Sequence, residues 1–177
     1  MLKYDMNFTI WQGATMKNIG KLLYSAICIA IIWYISAYFT RQGIQEWYAN
    51  FDKPTITPPN NVFPVIWSIL YIMMGAAFYL VLKNGSLAEQ KRANSIFLGQ
   101  LLLQAVWTFL FFAQGHIGIA FAVLLLLNIT VLKMQKFFRS VNQAAGYLII
   151  PYFWWLIYAT LLNLAFVYSA GLIVHFD

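Results

Sequence analysis

Acidic side chains are scarce in this chain. There are five in 177 residues, Asp5, Glu46, Asp52, Glu89 and Asp177, and none lies inside an apolar run. Residues of either charge make up only 9% of the sequence, where a soluble domain carries about 25%. A water-facing surface cannot be built from this composition, so lipid must cover much of the protein. Buried ionisable groups mark proton relays and ion pathways, and their absence here argues against a proton-coupled pump. It also removes the paired carboxylates that acid–base catalysis uses. The single cysteine, Cys28, lies within the first apolar run; it has no intramolecular disulfide partner and reads as a small buried hydrophobe. The two histidines, His116 and His175, fall at span ends without the spacing of a metal site. Haem ligation by one of them is the weaker alternative.

Apolar residues are abundant, at 62%, and aromatic residues reach 19%, with 7 Trp, 11 Tyr and 15 Phe. Amphipathic rings gather at the membrane interfaces, but this number exceeds what two belts need and points to an aromatic interior. A spanning helix takes about 20 mostly apolar residues. Five such runs are present, at about 22–39, 64–82, 95–113, 117–132 and 144–174. The third and fourth are nearly continuous and together about two bilayer widths long; they divide at Gln114-Gly115-His116-Gly118, where glycine favours a turn. The first run exceeds the apolar core of a signal peptide and has no small-x-small cleavage site after it, so it is read as a span. The fold expected is an all-α membrane protein, a five-helix transmembrane bundle (19–177) with a structured loop between helices 1 and 2. Residues 1–18 read as a poorly ordered N-terminal extension.

The formal net charge of +6 is explained by topology, and nucleic-acid binding is not expected. Lys3, Lys17, Lys21, Lys83, Lys91, Arg92, Lys133, Lys136 and Arg139 fall on one side of the five spans; Arg41 and Lys53 fall on the other. Cytoplasmic loops carry the excess of Lys and Arg, which places the N-terminus in the cytoplasm and the first loop and C-terminus outside.

Helical spacing puts unusual residues on common faces. Gln100, Gln104, Trp107 and Phe111 share one in the third span; Tyr152, Trp155, Ala159, Asn163 and Phe166 share one in the fifth. Trp67, Tyr71 and Phe78 form a stripe in the second, and Phe121, Leu125, Asn128 and Leu132 in the fourth. Amides in hydrocarbon need partners, so Gln104, Asn128 and Asn163 face inward. They serve either helix-to-helix hydrogen bonds or, beside the indoles, a pocket for a flat aromatic ligand. Pro151 opens the apolar part of the fifth span and frees a backbone carbonyl there.

The connection from Thr40 to Phe63 is 24 residues long, and four of the five prolines lie between Pro54 and Pro64, three of them within it and the fourth just after it. Proline fixes φ and lowers the entropy lost on ordering. A long, proline-stiffened loop with Trp47-Tyr48 reads as a cap over one mouth of the bundle, rather than an interfacial loop anchored at the headgroups.

These residues resemble the tryptophan-rich sensory protein family, also called the translocator protein or peripheral-type benzodiazepine receptor family. The pattern runs Trp47-Tyr48, Lys53-Pro54, Pro58-Pro59, then Phe63 through Trp67, Leu70-Tyr71 and Met74-Gly75. It continues with Gln100-Leu101, Trp107, Phe111-Phe112, Pro151-Tyr152, Trp155, Ala159-Thr160 and Leu162-Asn163. The resemblance covers roughly Ile19 to Tyr168. It implies a five-helix fold, a homodimer, and a pocket under the first loop that takes porphyrin-like ligands; no cofactor is required, and porphyrin or haem is the possible ligand. The positions it implies for ligand binding are Trp47, Pro58, Pro59, Trp67, Tyr71, Gln104, Trp107, Tyr152, Trp155, Ala159 and Asn163. Ile56 stands where the family has Trp, and Gln104 where it has Asn; both bear on ligand choice. The cholesterol pattern of the fifth span fails after Tyr168, so sterol binding is expected to be weak or absent. A porphyrin-binding sensor or stress-response protein is the leading reading, beside a transporter of porphyrins or related amphipathic molecules, a light-dependent porphyrin-degrading protein, and simple helix association through Ser25, Ala26, Gly99 and Ala105.

Overall fold

A computed structural model describes residues 2–51, 53–59 and 61–171, with side chains from Lys17 onward. His175, Asp177 and the end of the expected fifth span to Val174 lie outside the described residues, as do the side chains of most of the expected N-terminal extension. The described residues form five α-helices and no strand: α1 (Leu2–Gly43), α2 (Val62–Asn84), α3 (Leu87–Thr108), α4 (Ile117–Val141) and α5 (Gln143–Ser169). Two π-helical turns extend them, Ile44–Tyr48 after α1 and Phe109–Ala113 after α3. Each helix is long and apolar enough to cross a membrane.

The turns that reverse the chain are written in local chemistry. Between α2 and α3, Ser86 and Glu89 form a capping box: the Ser86 N–H donates to Glu89 Oε2 at 2.7 Å, and the Glu89 N–H donates to Ser86 Oγ at 3.4 Å. Asn142 alone separates α4 from α5, and its Oδ1 accepts from the Ala145 N–H at 3.0 Å. The third and fourth spans divide where expected, with Gly115 at φ +63°, a conformation that favours glycine.

The helices outrun their apolar segments. α3 begins eight residues before Ser95, and α4 continues past Leu132 to Val141. Apolarity records the membrane, whereas the backbone stays helical past it and long Lys and Arg side chains reach back to the interface. Likewise, α1 with its π-turn continues to Tyr48, well past the expected end of the first span at residue 39.

The core is aromatic. Phe78 and Phe97 stack at 4.0 Å, and Phe138 lies 6.4 and 6.5 Å from them. Between α1 and α2, Ser25 Oγ donates to the Gly75 carbonyl at 2.7 Å, and the Tyr71 hydroxyl donates to Ser36 Oγ at 3.0 Å. Ser25 thereby ties α1 to α2. The expected fourth-span stripe is corrected: Leu125 and Leu132 are exposed, and the buried face carries Leu124, Leu127, Asn128, Val131 and Met134. Where lipid replaces water, leucine is at home on either side of a helix, so apolar periodicity does not locate the core.

Candidate functional site

α1 ends, α2 begins and α3 ends at one pole of the bundle, and a cavity opens between them. Its volume is about 320 Å³; Trp67, Tyr71, Gln104 and Trp107 line it, with Trp33, Ser36, Thr40, Arg41, Gln45 and Thr108 on the remaining walls. A second, tighter chamber of about 20 Å³ lies between Trp67, Trp107, Trp155, Ala159, Asn163 and Phe166. The two chambers share Tyr48, Phe63, Trp67, Trp107 and Phe112. The partition between them is thus aromatic, centred on Trp67 and Trp107 with ring centroids 6.1 Å apart.

The two π-turns build this pole. Gly43 lies against the backbone of Phe112, where a Cβ would overlap the Phe112 carbonyl. In the second π-turn the Gln114 N–H reaches the Phe109 carbonyl and the His116 N–H reaches Leu110. The Phe112 carbonyl instead accepts from Trp47 Nε1 at 2.7 Å. A bare carbonyl at membrane depth is costly, so the indole stabilises the widened turn. π-Bulges recur at functional sites because they turn side chains off the regular helical register.

The predicted positions divide by location. Trp67, Tyr71, Gln104, Trp107, Trp155, Ala159 and Asn163 line the two chambers. Tyr152 is fully buried behind them, with its hydroxyl 3.0 Å from Gln100 Oε1 and 3.3 Å from Gln104 Oε1. Trp47 lines neither chamber; it packs on Phe51, Phe111 and Phe166 and holds Phe112. Pro58 and Pro59 also line neither. The loop bearing them is tied to α5 where the Tyr158 hydroxyl donates to the Ile56 carbonyl at 2.7 Å, and to the π-turn after α1 where Lys53 Nζ lies 4.8 Å above the Tyr48 ring.

Sequence reasoning missed Trp33, Ser36, Thr40 and Arg41 on α1. They follow helical spacing from the pocket end, but the apolarity of the first span masks this polar face. The loop position expected for Tyr48 is instead the end of a π-turn, where its ring is buried and stacks on Phe166 at 5.6 Å.

Several buried polar atoms here have no partner: the Tyr48 hydroxyl, the indole N–H groups of Trp107 and Trp155, and both ends of the Asn163 amide. All four residues line the smaller chamber. The Asn128 amide is half satisfied: its Nδ2 donates to the Leu124 carbonyl and to Thr160 Oγ1, both at 2.8 Å, while its Oδ1 has no partner.

The sequence profile of the TspO/MBR family matches residues 24–169, most of the chain and all five spans. The chain belongs to the TspO/MBR family. It is 32% identical over 148 residues to "Tryptophan-rich protein TspO" of Archaeoglobus fulgidus, covering 84% of this chain and 95% of that one. To the "Translocator protein" of Ovis aries it is 35% identical over 128 residues, 71% of this chain and 75% of the relative. The "Tryptophan-rich sensory protein" of Cereibacter sphaeroides is 33% identical over 118 residues, 67% and 73% of the respective chains. The matched stretch of this TspO/MBR protein contains every residue that lines the paired chambers.

Proposed function

We propose that this multi-pass membrane protein binds a tetrapyrrole in the paired chambers and acts as a sensor of that ligand. The observation that carries the reading is the set of unpartnered polar atoms on Tyr48, Trp107, Trp155 and Asn163 in an otherwise aromatic cavity. Each such atom costs about 1–3 kcal/mol when buried alone, and a ligand with both donors and acceptors relieves several at once. A porphyrin supplies ring nitrogens for those atoms and a flat π-face for the indoles. The 20 Å³ chamber is too small for a macrocycle, so binding displaces the Trp67–Trp107 partition and joins it to the 320 Å³ chamber. Arg41, at the wall of the larger chamber, is placed to meet a ligand carboxylate. The side chains lining the chambers include no carboxylate, thiol or imidazole, which favours binding by stacking and hydrogen bonding over acid–base chemistry. With the basic pole in the cytoplasm, the chambers open near the outer face beneath the first loop.

Titrating protoporphyrin IX against the tryptophan fluorescence of the purified protein tests this. Saturable quenching is expected, with affinity at least tenfold weaker in Trp155→Ala. Quenching that does not saturate, or that Trp155→Ala leaves unchanged, overturns the reading.

A further inference from the structure

A long groove of about 680 Å³ runs between α3 and α4 on the lipid side, at the pole opposite the chambers. Its two ends differ in chemistry. One end carries Arg92, Lys133 and Lys136; the other carries Leu103 and Leu126, and Gly99 floors the passage between them. We propose that this groove is a binding site for one anionic phospholipid, with its phosphate among the three cations and one acyl chain lying along the α3–α4 seam.

Three observations carry the assignment. First, the cations converge. They come from two helices, and the Arg92 guanidinium is held across the seam, 4.6 Å from the centroid of the Phe137 ring on α4. Lys and Arg that only set topology have no reason to share one depression. Second, the three cations have no internal counter-ion: among the described residues none forms an ion pair, and Glu89, the acid of α3, is turned back to cap its own helix at Ser86. Third, the length fits. Arg92 to Leu103 is eleven helical steps, about 16 Å, and one leaflet of a bilayer core of about 30 Å is half that thickness. A headgroup at the cations therefore leaves its chain end near the midplane, beside Leu103 and Leu126. Gly99 keeps the floor open, since nothing lies within 4 Å of where its Cβ would be. Basic pockets between helices at the charged face of a membrane protein suit anionic headgroups. This site shares no residue with the chambers and does not depend on the tetrapyrrole reading.

Native mass spectrometry of the full chain tests it, with phosphatidylglycerol and phosphatidylcholine of identical acyl chains supplied at equal concentration. Each cation contributes on the order of fivefold in affinity, so phosphatidylglycerol should be retained at least tenfold over phosphatidylcholine. Arg92→Gln/Lys133→Gln/Lys136→Gln should bring the ratio close to one. A charge-matched control, Lys17→Gln/Lys21→Gln/Lys83→Gln, should keep the preference. Gly99→Leu, which fills the floor and leaves every cation, should lower retention of the intact lipid. Glycerophosphoglycerol, the headgroup without chains, should not be retained. No preference in the wild type overturns the proposal outright, and equal loss in the control triple overturns it in favour of diffuse surface charge. Retention of the chainless headgroup overturns it in favour of a simple phosphate site. A change of oligomeric mass in Gly99→Leu with lipid retention unaltered assigns the groove to a second copy of the chain and overturns it too. Thermal midpoints of the variants, close to wild type, exclude misfolding as the cause of any loss.

Discussion

Asn163 is 1% exposed, and neither its Nδ2 nor its Oδ1 has a partner. Selection for stability alone favours an apolar residue there, because an unsatisfied buried amide costs about 1–3 kcal/mol. Asn163→Leu is therefore expected to raise the thermal midpoint of the purified protein and to weaken protoporphyrin IX binding at least tenfold. Binding equal to wild type in the variant removes the amide from the ligand site. The helix-face spacing made Asn163 and Asn128 look alike: both were readable as inward amides, and both are. What separates them is tertiary. Asn128 Nδ2 finds Thr160 across the α4–α5 seam, though its Oδ1 stays without a partner, while neither end of the Asn163 amide finds one among the aromatic residues that line the smaller chamber. No periodicity within one helix reports what the neighbouring helix supplies, so the sequence shows the polar residue and hides its partner. Trp47 makes the same point from the other direction. Its position in a family-like motif pointed to the ligand, yet its indole N–H is committed to the Phe112 carbonyl, a contact 65 residues away that local spacing does not encode.

At the scale of elements, the junction between the two π-turns holds the chambers in shape. Gly43 is its contact point, pressed on the Phe112 backbone. A Cβ there meets main chain rather than a flexible side chain, so the helices must part. Gly43→Ala is expected to lower stability by about 1–3 kcal/mol, the usual cost of overpacking, and to reduce ligand affinity together with it. Thermal unfolding in detergent with and without protoporphyrin IX measures both; an unchanged midpoint shows that the junction yields freely. The five helices themselves were legible because each apolar run approximates a bilayer thickness. Their ends were less so. Lys133, Lys136 and Arg139 end the apolar run but not α4, since a cation at the interface interrupts hydropathy without breaking a helix. The π-turns were invisible, because a shift from i−4 to i−5 bonding leaves no compositional mark. Gly43 was the readable trace, a residue without a side chain where two backbones meet.

For the molecule as a whole, charge and cavities are segregated to opposite poles. Lys17, Lys21, Lys83, Lys91, Arg92, Lys133, Lys136 and Arg139 belong to the pole where α1 enters the membrane, α2 and α4 end, and α3 begins. Arg41 and Lys53 belong to the pole that holds the chambers. The distribution has one physical consequence in a cell: positive loops stay in the cytoplasm during insertion. On that proposed orientation the chambers open to the outer side, and the groove proposed for lipid between α3 and α4 faces the inner leaflet, where anionic lipid gives the surface its negative potential. Single cysteines report this directly. Ala49 is exposed beside the first loop and Ala88 is exposed in the first turn of α3, while the native Cys28 is buried within a span and is removed as Cys28→Ser to clear the background. In intact bacterial cells, a membrane-impermeant maleimide should label Ala49→Cys at once and Ala88→Cys only after permeabilisation. The reverse pattern would invert the protein, place the chambers on the cytoplasmic side, and show that the Arg41 pole outweighs eight cations at the other, against the charge bias on which the orientation rests.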